Sequence, residues 1–204
     1  RNVLVAMSDM PKFYEKAFQY RFSDEAGAFA GHPLGNIIIA GLSEMQGSTY
    51  NAMQLLSKFF HTTGKIYPSS DHPLTLHAVF KDGTEVAGES HIADHPGMID
   101  YVYVSNTFDD EKPQASRRVV NTILESDMIV LGPGSLFTSI LPNIVIEEIG
   151  QALLETKAEV AYVCNIMTQR GETERFTDSD HVEVLQRHLG RPFIDTVLVN
   201  IEKV

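Results

Sequence analysis

The sequence predicts an α/β fold with a mostly parallel sheet and a β-hairpin excursion. In the second half of the chain, short apolar runs near 127–131, 159–164 and 194–200 alternate with helix-like segments. Such alternation is typical of consecutive βαβ units, which form parallel sheets. Upstream, Asp82 and Gly83 lie between two strand-like runs. This pair predicts a hairpin turn, because glycine takes a positive φ freely.

The part of the chain before the hairpin is predicted to be helical. Helix-like patterns occur in four places, at residues 1–7, 11–22, 34–45 and 49–60. The third is apolar enough to predict a helix that is buried on most sides. In the fourth segment, apolar and aromatic residues at helical spacing form a stripe from Tyr50 to Phe60. This stripe predicts a packing face.

The remaining elements complete the predicted order. Strand-like runs on both sides of the turn, followed by DYVYVSN, predict a hairpin with a third strand at about 64–105. Helices are expected near 114–125, from the first parallel strand to about 156, and at 179–189. We expect a single domain, 1–204, with the hairpin as an insertion. We also expect a fragment truncated at both ends, since structured-looking runs begin at Arg1 and reach the last residues.

Composition restricts the classes of partner. Acidic residues outnumber basic ones by 27 to 16, the net charge is -11, and no basic run could follow a nucleic-acid backbone. The chain has one cysteine, which fits a reducing compartment and predicts a cytoplasmic protein. No apolar stretch approaches the roughly 20 residues of a membrane-spanning helix. The sequence leaves the oligomeric state open, a homo-oligomer included.

The segment LGPGSLFTSILPN is the first candidate site. It follows a predicted strand, at the edge where parallel α/β sheets bind ligands. Gly132 and Gly134 would let a ligand approach the backbone, and a following helix start would attract a phosphate. The predicted phosphate-binding residues are Gly132, Pro133, Gly134, Ser135, Thr138 and Ser139. The alternative is a tight turn whose hydroxyls only cap the helix.

A second polar loop, NIMTQRGET, follows the next predicted strand. Its amides and hydroxyls suit a base, a ribose or a sugar beside a phosphate. The residues expected to line this cleft are Asn143, Asn165, Thr168, Gln169 and Glu172. Glu172 would hold a ribose hydroxyl or a divalent ion, or it is simply an exposed loop acid.

The segment GHPLGNIII is a third element of the candidate cleft. His32 and Asn36 stand at the start of an apolar helix, where each would either cap the helix or face the cleft. His91, Asp94 and His95 do not make a convincing metal site, because no second ligand pair accompanies them. No residue is assigned a catalytic role, and no G-x-S-x-G motif supports serine hydrolase chemistry.

Four ordered motifs carry a resemblance to a known family: RNVLVAMS, GHPLGNIIIAGL, DMIVLGPGSLFTSILPNI and YVCNIMTQRGET. Together they resemble the bacterial gluconeogenesis factor family, the YvcK-type proteins, within the superfamily of the phospholactate transferase CofD. The resemblance implies a three-layer α/β/α Rossmann-like fold and a nucleotide diphosphate ligand. In this branch the ligand is a UDP-sugar such as UDP-N-acetylglucosamine, and the role concerns cell shape and wall synthesis on gluconeogenic carbon.

The superfamily also implies an alternative function. A CofD-like transferase would move a phosphoryl-linked group from a nucleotide diphosphate conjugate to an acceptor alcohol. Either Mg²⁺ as a cofactor or cationic side chains would then neutralise the diphosphate. Whether the chain is an enzyme stays open at this point. The sequence departs from the family pattern, because GETER stands at 171–175 in place of GETDG and the family's N-terminal glycine-rich loop has no counterpart.

Overall fold

The computed structural model of the protein describes residues 1–202. The chain forms two compact units, one of residues 1–71 and one that begins at His72. Each unit has its own hydrophobic core, and the two are described in turn.

The first unit is helical, as predicted. Its α-helices are α1 (Asn2–Ala6), α2 (Lys12–Gln19), α3 (Leu34–Gln46) and α4 (Thr49–Phe59). Gly47 ends α3 in the left-handed conformation, and the Ser48 side chain caps α4 by accepting from the Asn51 N–H at 3.3 Å. The buried core consists of Leu4, Val5, Phe18, Met53, Leu56, Phe60 and Ile66. The predicted packing stripe of α4 therefore supplies three of these residues.

The prediction that helix 34–45 is buried on most sides is wrong. Within this unit Gly35 is the one buried residue of α3, and Ile37 to Ile39 are half-buried. Gly35 packs so closely that a Cβ there would lie 2.5 Å from the Phe18 carbonyl oxygen. Three consecutive isoleucines point in different directions around a helix, so a neighbouring helix covers only part of them.

The second unit begins with an antiparallel sheet in the order β2-β1-β3. Its strands are β1 (Leu74–Phe80), β2 (Glu85–Ala87) and β3 (Ile99–Asn106). The predicted hairpin turn is present, with Gly83 at φ +85°. The strand predicted through EVAGESHI is wrong beyond Ala87, because Gly88 at φ +93° ends β2 and helix α5 (Glu89–Asp94) follows.

A parallel sheet in the order β4-β5-β6 completes the second unit and confirms the predicted α/β class. Its strands are β4 (Met128–Leu131), β5 (Glu159–Val163) and β6 (Thr196–Leu198). Helix α6 (Arg117–Leu124) precedes β4, and α9 (Asp178–Leu189) connects β5 with β6. The central strand β5 is buried from Val160 to Tyr162. Its carboxyl end is therefore fixed by the core.

The helix predicted between β4 and β5 is three helical pieces. They are a π-helix (Leu136–Ile140), α7 (Leu141–Ile144) and α8 (Glu147–Glu155). Pro142 lies in the first turn of α7, as expected from its fixed φ and missing N–H. Ile146 is extended and separates α7 from α8. Among residues 1–202, the helices lack the length and apolar character that crossing a bilayer requires.

His188 joins α9 to β3 through both ring nitrogens. Nδ1 lies 2.7 Å from the Val184 carbonyl oxygen, and the Val102 N–H donates to Nε2 at 3.2 Å. Accepting a backbone N–H requires an unprotonated Nε2, so the ring is neutral. Burial lowers the pKa of His188 below its usual 6.5, and the charge of Arg187 acts in the same direction.

We expect His188 to make folding stability pH-dependent. Because its pKa is lower in the folded chain, its contribution is complete above pH 6.5 and is lost as the pH falls through the folded value. In a His188→Gln variant, the free energy of unfolding should change less with pH. The two slopes should differ by less than ~1.4 kcal/mol per pH unit, which is the value for one whole proton. Urea unfolding from about pH 5 to about pH 7.5 measures this. Parallel profiles for the two chains would contradict the assignment.

Candidate functional site

The loop after β4 approaches the end of β5 through a glycine. Gly132 has φ +94°, and a Cβ at this position would lie 2.9 Å from the Val163 carbonyl oxygen. Both the backbone conformation and the space therefore require glycine. The Gly132–Pro133 peptide is cis, and Ser135 then caps the π-helix by accepting from the Thr138 N–H at 3.2 Å. The predicted turn and cap are thus both present.

The loop after β5 reaches back to the same place. The Asn165 side-chain amide donates to the Gly134 carbonyl oxygen at 2.8 Å. Because β4 and β5 are parallel neighbours, their carboxyl ends lie at one edge of the sheet. Asn165 therefore ties the two loops together where the sequence predicts a ligand.

Glu172 makes the second connection between the loops. The Ser135 hydroxyl donates to Glu172 Oε2, and Thr138 Oγ1 lies 3.3 Å from Glu172 Oε1 and 2.7 Å from Ser135 Oγ. Glu172 is only 7% exposed. Within the described residues, the ion pairs involve other carboxylates. We call Ser135, Thr138 and Glu172 the hydroxyl–carboxylate cluster.

A short turn holds Glu172 in this position. Thr173 is fully buried, and its Oγ1 accepts from the Gln169 N–H at 2.9 Å. The Thr173 N–H donates back to the Gln169 carbonyl oxygen at 2.9 Å. Thr177 and Asp180 then form a capping box at the start of α9. These bonds direct the carboxylate inward, so the reading of Glu172 as an exposed loop acid is wrong.

The floor beneath these loops contains no activated nucleophile among the residues we describe. Cys164 is buried, and its thiol donates a hydrogen bond to Asp178 Oδ1 over 3.4 Å. Burial, together with the nearby carboxylate of Asp178, raises the pKa of Cys164 to about 11. Burial also raises the pKa of Tyr162 well above its usual value. Both groups are therefore protonated at neutral pH.

The structure brings together five predicted residues: Gly132, Gly134, Ser135, Thr138 and Asn165, around Glu172. Other predicted residues, Pro133, Ser139, Thr168 and Gln169, are exposed around this group. Asn143 donates to the Ser139 carbonyl oxygen at 2.6 Å. His32 and Asn36 belong to the first unit, where both are exposed, and their place in the cleft stays a prediction.

Two apolar residues of the same loop escaped the sequence analysis. Ile166 and Met167 directly follow Asn165, and they are 65% and 63% exposed. Their signal in the sequence is the pair IM inside an otherwise polar loop. Exposed apolar neighbours beside polar groups are typical of a binding surface.

Two further observations bear on ligand chemistry. In the part of the chain that the structure describes, no three His, Cys, Asp or Glu side chains form a metal-binding group. A groove of about 740 Å³ lies between α6 and α8, with Glu147, Glu148 and Glu155 in its lining. No residue of the two loops lines this groove. This groove is therefore separate from the candidate site.

Comparisons with known proteins agree with the fold. The family model described as 2-phospho-L-lactate transferase CofD matches residues 1–204. A Streptococcus pneumoniae serotype 4 protein named "Putative gluconeogenesis factor" is 89% identical over 204 residues, which are 100% of this chain and 63% of that protein. The "Gluconeogenesis factor" of Bacillus subtilis strain 168 is 40% identical with the same coverage.

A solved structure has the same fold. The crystal structure of a UPF0052 family member from Bacillus halodurans, at 2.60 Å resolution, matches with a TM-score of 0.90 and 37% identity. The match covers 100% of this chain and 64% of that one. The chain thus spans 63% of the length of the two curated relatives above.

Proposed function

Because the chain belongs to the 2-phospho-L-lactate transferase CofD family, we propose that it binds a nucleotide diphosphate sugar at the loops after β4 and β5. The proposed ligand is of the UDP-N-acetylglucosamine type. The observation that carries this proposal is the pair of connections between the two loops, from Asn165 to Gly134 and from Ser135 to Glu172. They gather hydroxyl, amide and carboxylate groups at the carboxyl edge of a parallel sheet, where α/β proteins bind nucleotides.

The chemistry of this edge supports a ligand with several parts. Glycines bring the backbone within reach of a diphosphate. Amide and carboxylate groups suit the hydroxyls of a ribose or a sugar, and Ile166 and Met167 offer apolar surface for a ring. The net charge of -11 argues against a nucleic acid and is compatible with a small ligand.

We further propose a regulatory rather than a catalytic role, in the cytoplasm. Two of the relatives reported above are named gluconeogenesis factors. On this proposal the chain acts during growth on gluconeogenic carbon, where it supports cell shape and cell-wall synthesis. The Cys164 thiol is protonated at neutral pH and therefore offers no activated nucleophile.

Isothermal titration calorimetry with UDP-N-acetylglucosamine tests the binding. A Gly134→Val variant places a branched side chain at the loop and should weaken binding at least ~10-fold, through lost contact with the backbone. Gly41→Val is the matched control, because a Cβ at Gly41 meets nothing within 4 Å and the residue lies in α3. Equal heats from all three proteins would contradict the proposal.

The family model's own description favours a second candidate, a CofD-like transferase. Glu172, the buried carboxylate of these loops, would hold Mg²⁺ together with the diphosphate, since Mg²⁺ prefers oxygen ligands. The cation would neutralise charge on the diphosphate. Release of free nucleoside diphosphate with candidate acceptor alcohols, followed by mass spectrometry, distinguishes this activity from binding alone.

A further inference from the structure

The hydroxyl–carboxylate cluster has no hydrogen-bond donor left for a ligand. The Ser135 proton points to Glu172, while Ser135 Oγ itself accepts from the Thr138 N–H and lies 2.7 Å from Thr138 Oγ1. The single hydroxyl proton of Thr138 is donated either to Ser135 Oγ or to Glu172 Oε1. Each hydroxyl carries only one proton, so both are in use.

The cluster can still accept hydrogen bonds from a ligand. An ionised carboxylate donates none and offers about four acceptor positions, of which the two hydroxyls occupy at most two. Within the described residues, no ion pair neutralises the charge of Glu172. A phosphate would meet a like charge here, whereas a hydroxyl group would find an acceptor.

We infer that Glu172 determines ligand specificity by making this cluster a subsite for a neutral hydroxyl of the ligand and by keeping phosphate away from Ser135 and Thr138. The inference rests on the proposed function and names the part of the ligand that meets Glu172, a sugar or ribose hydroxyl. The slight exposure of Glu172 suits one small polar group. The sequence-based expectation differs, since it gives both hydroxyls to a phosphate.

Replacing Glu172 with glutamine tests the inference, because the amide is nearly isosteric but uncharged. Calorimetry on the full chain uses two probes, UDP-N-acetylglucosamine and inorganic pyrophosphate. We expect Glu172→Gln to bind the nucleotide sugar ~10-fold more weakly and pyrophosphate several-fold more tightly. A phosphate-binding role for the cluster predicts a different result, in which the affinity for both probes changes in the same direction.

Glu174→Gln is the matched control. Glu174 lies two residues away in the same loop and is exposed, so this variant removes the same charge without touching the hydroxyls. It should change neither affinity by more than about twofold. Equal changes in the two variants would overturn the inference, because they would reflect net charge alone.

The pyrophosphate probe separates this inference from the proposed function. If no chain binds the nucleotide sugar, the proposed function fails, and the inference is judged by whether Glu172→Gln gains pyrophosphate affinity. If the nucleotide sugar binds but the variant matches the unaltered chain with both probes, the inference alone fails. Binding of Mg²⁺ by itself that disappears in Glu172→Gln, with sugar affinity retained, would assign Glu172 to a cation and overturn the inference.

A ligand series on the unaltered chain tests the inference even if the variant does not fold. UDP lacks the sugar, and 2′-deoxy-UDP-N-acetylglucosamine lacks one ribose hydroxyl. A buried acceptor left without its donor weakens binding, so one of these compounds should bind ~10-fold more weakly than the complete ligand. Equal affinities for all three compounds would overturn the inference.

Discussion

Replacing Phe137 with alanine is expected to lower the free energy of unfolding by about 3–5 kcal/mol, because it empties a fully enclosed position. Phe137 has no exposed surface, and its ring centre lies 6.2 Å from that of Phe176 and 6.5 Å from that of His188. These edge-to-face neighbours connect the π-helix with the loop before α9 and with α9 itself. The variant therefore loses both apolar burial and this aromatic packing.

Urea unfolding measures the effect, and Phe108→Ala is the control. Phe108 is 83% exposed, so the same chemical change should cost no more than about 0.5 kcal/mol there. A similar loss in both variants would show that position 137 is not the enclosed site described above. Because Phe137 lies between Ser135 and Thr138 in the chain, we also expect Phe137→Ala to weaken ligand binding at the candidate site.

Replacing Gly132 with alanine is expected to cost about 2–4 kcal/mol of folding stability, for two separate reasons. The residue has φ +94°, which disfavours any side chain. Its Cβ would also lie 2.9 Å from the Val163 carbonyl oxygen, at the end of the buried strand β5. Neither backbone can retreat easily, since each continues from a strand of the parallel sheet.

Gly190→Ala separates the two reasons in the same urea experiment. Gly190 has φ +75°, but a Cβ there meets nothing within 4 Å. This control carries the conformational cost without the collision and should lose only about 1 kcal/mol. Equal losses at 132 and 190 would mean that the two loops can separate, which would contradict the close approach.

The sequence predicted that the loops after β4 and β5 come together, but not how their hydrogen bonds are arranged. Glycines after β4 and a polar loop after β5 are local signals, and parallel strands bring their carboxyl ends together. Among Thr168, Gln169 and Glu172, however, the inward residue depends on how the turn from Gln169 to Thr173 packs against the core. That choice is made by tertiary contacts, which a single sequence does not display.

Two elements of the fold also depend on contacts that the sequence alone did not reveal. Gly88 ends β2 and allows α5 to begin, although the sequence on both sides favours a strand. In α3, the apolar composition predicts deep burial, but the close contact is made by Gly35 rather than by the isoleucines. In both places a glycine, rather than the surrounding composition, decided where the strand ends or how the helix packs.

The hydrogen bonds from Asn165 to Gly134 and from Ser135 to Glu172 have a thermodynamic consequence. Each bond joins the β4 loop to the β5 loop, so neither loop can detach without breaking contacts that the other needs. We therefore expect the two segments to unfold locally as one cooperative unit, so that one opening event frees both. A ligand that bridges them suppresses one fluctuation rather than two, and it stabilises both segments through the same equilibrium.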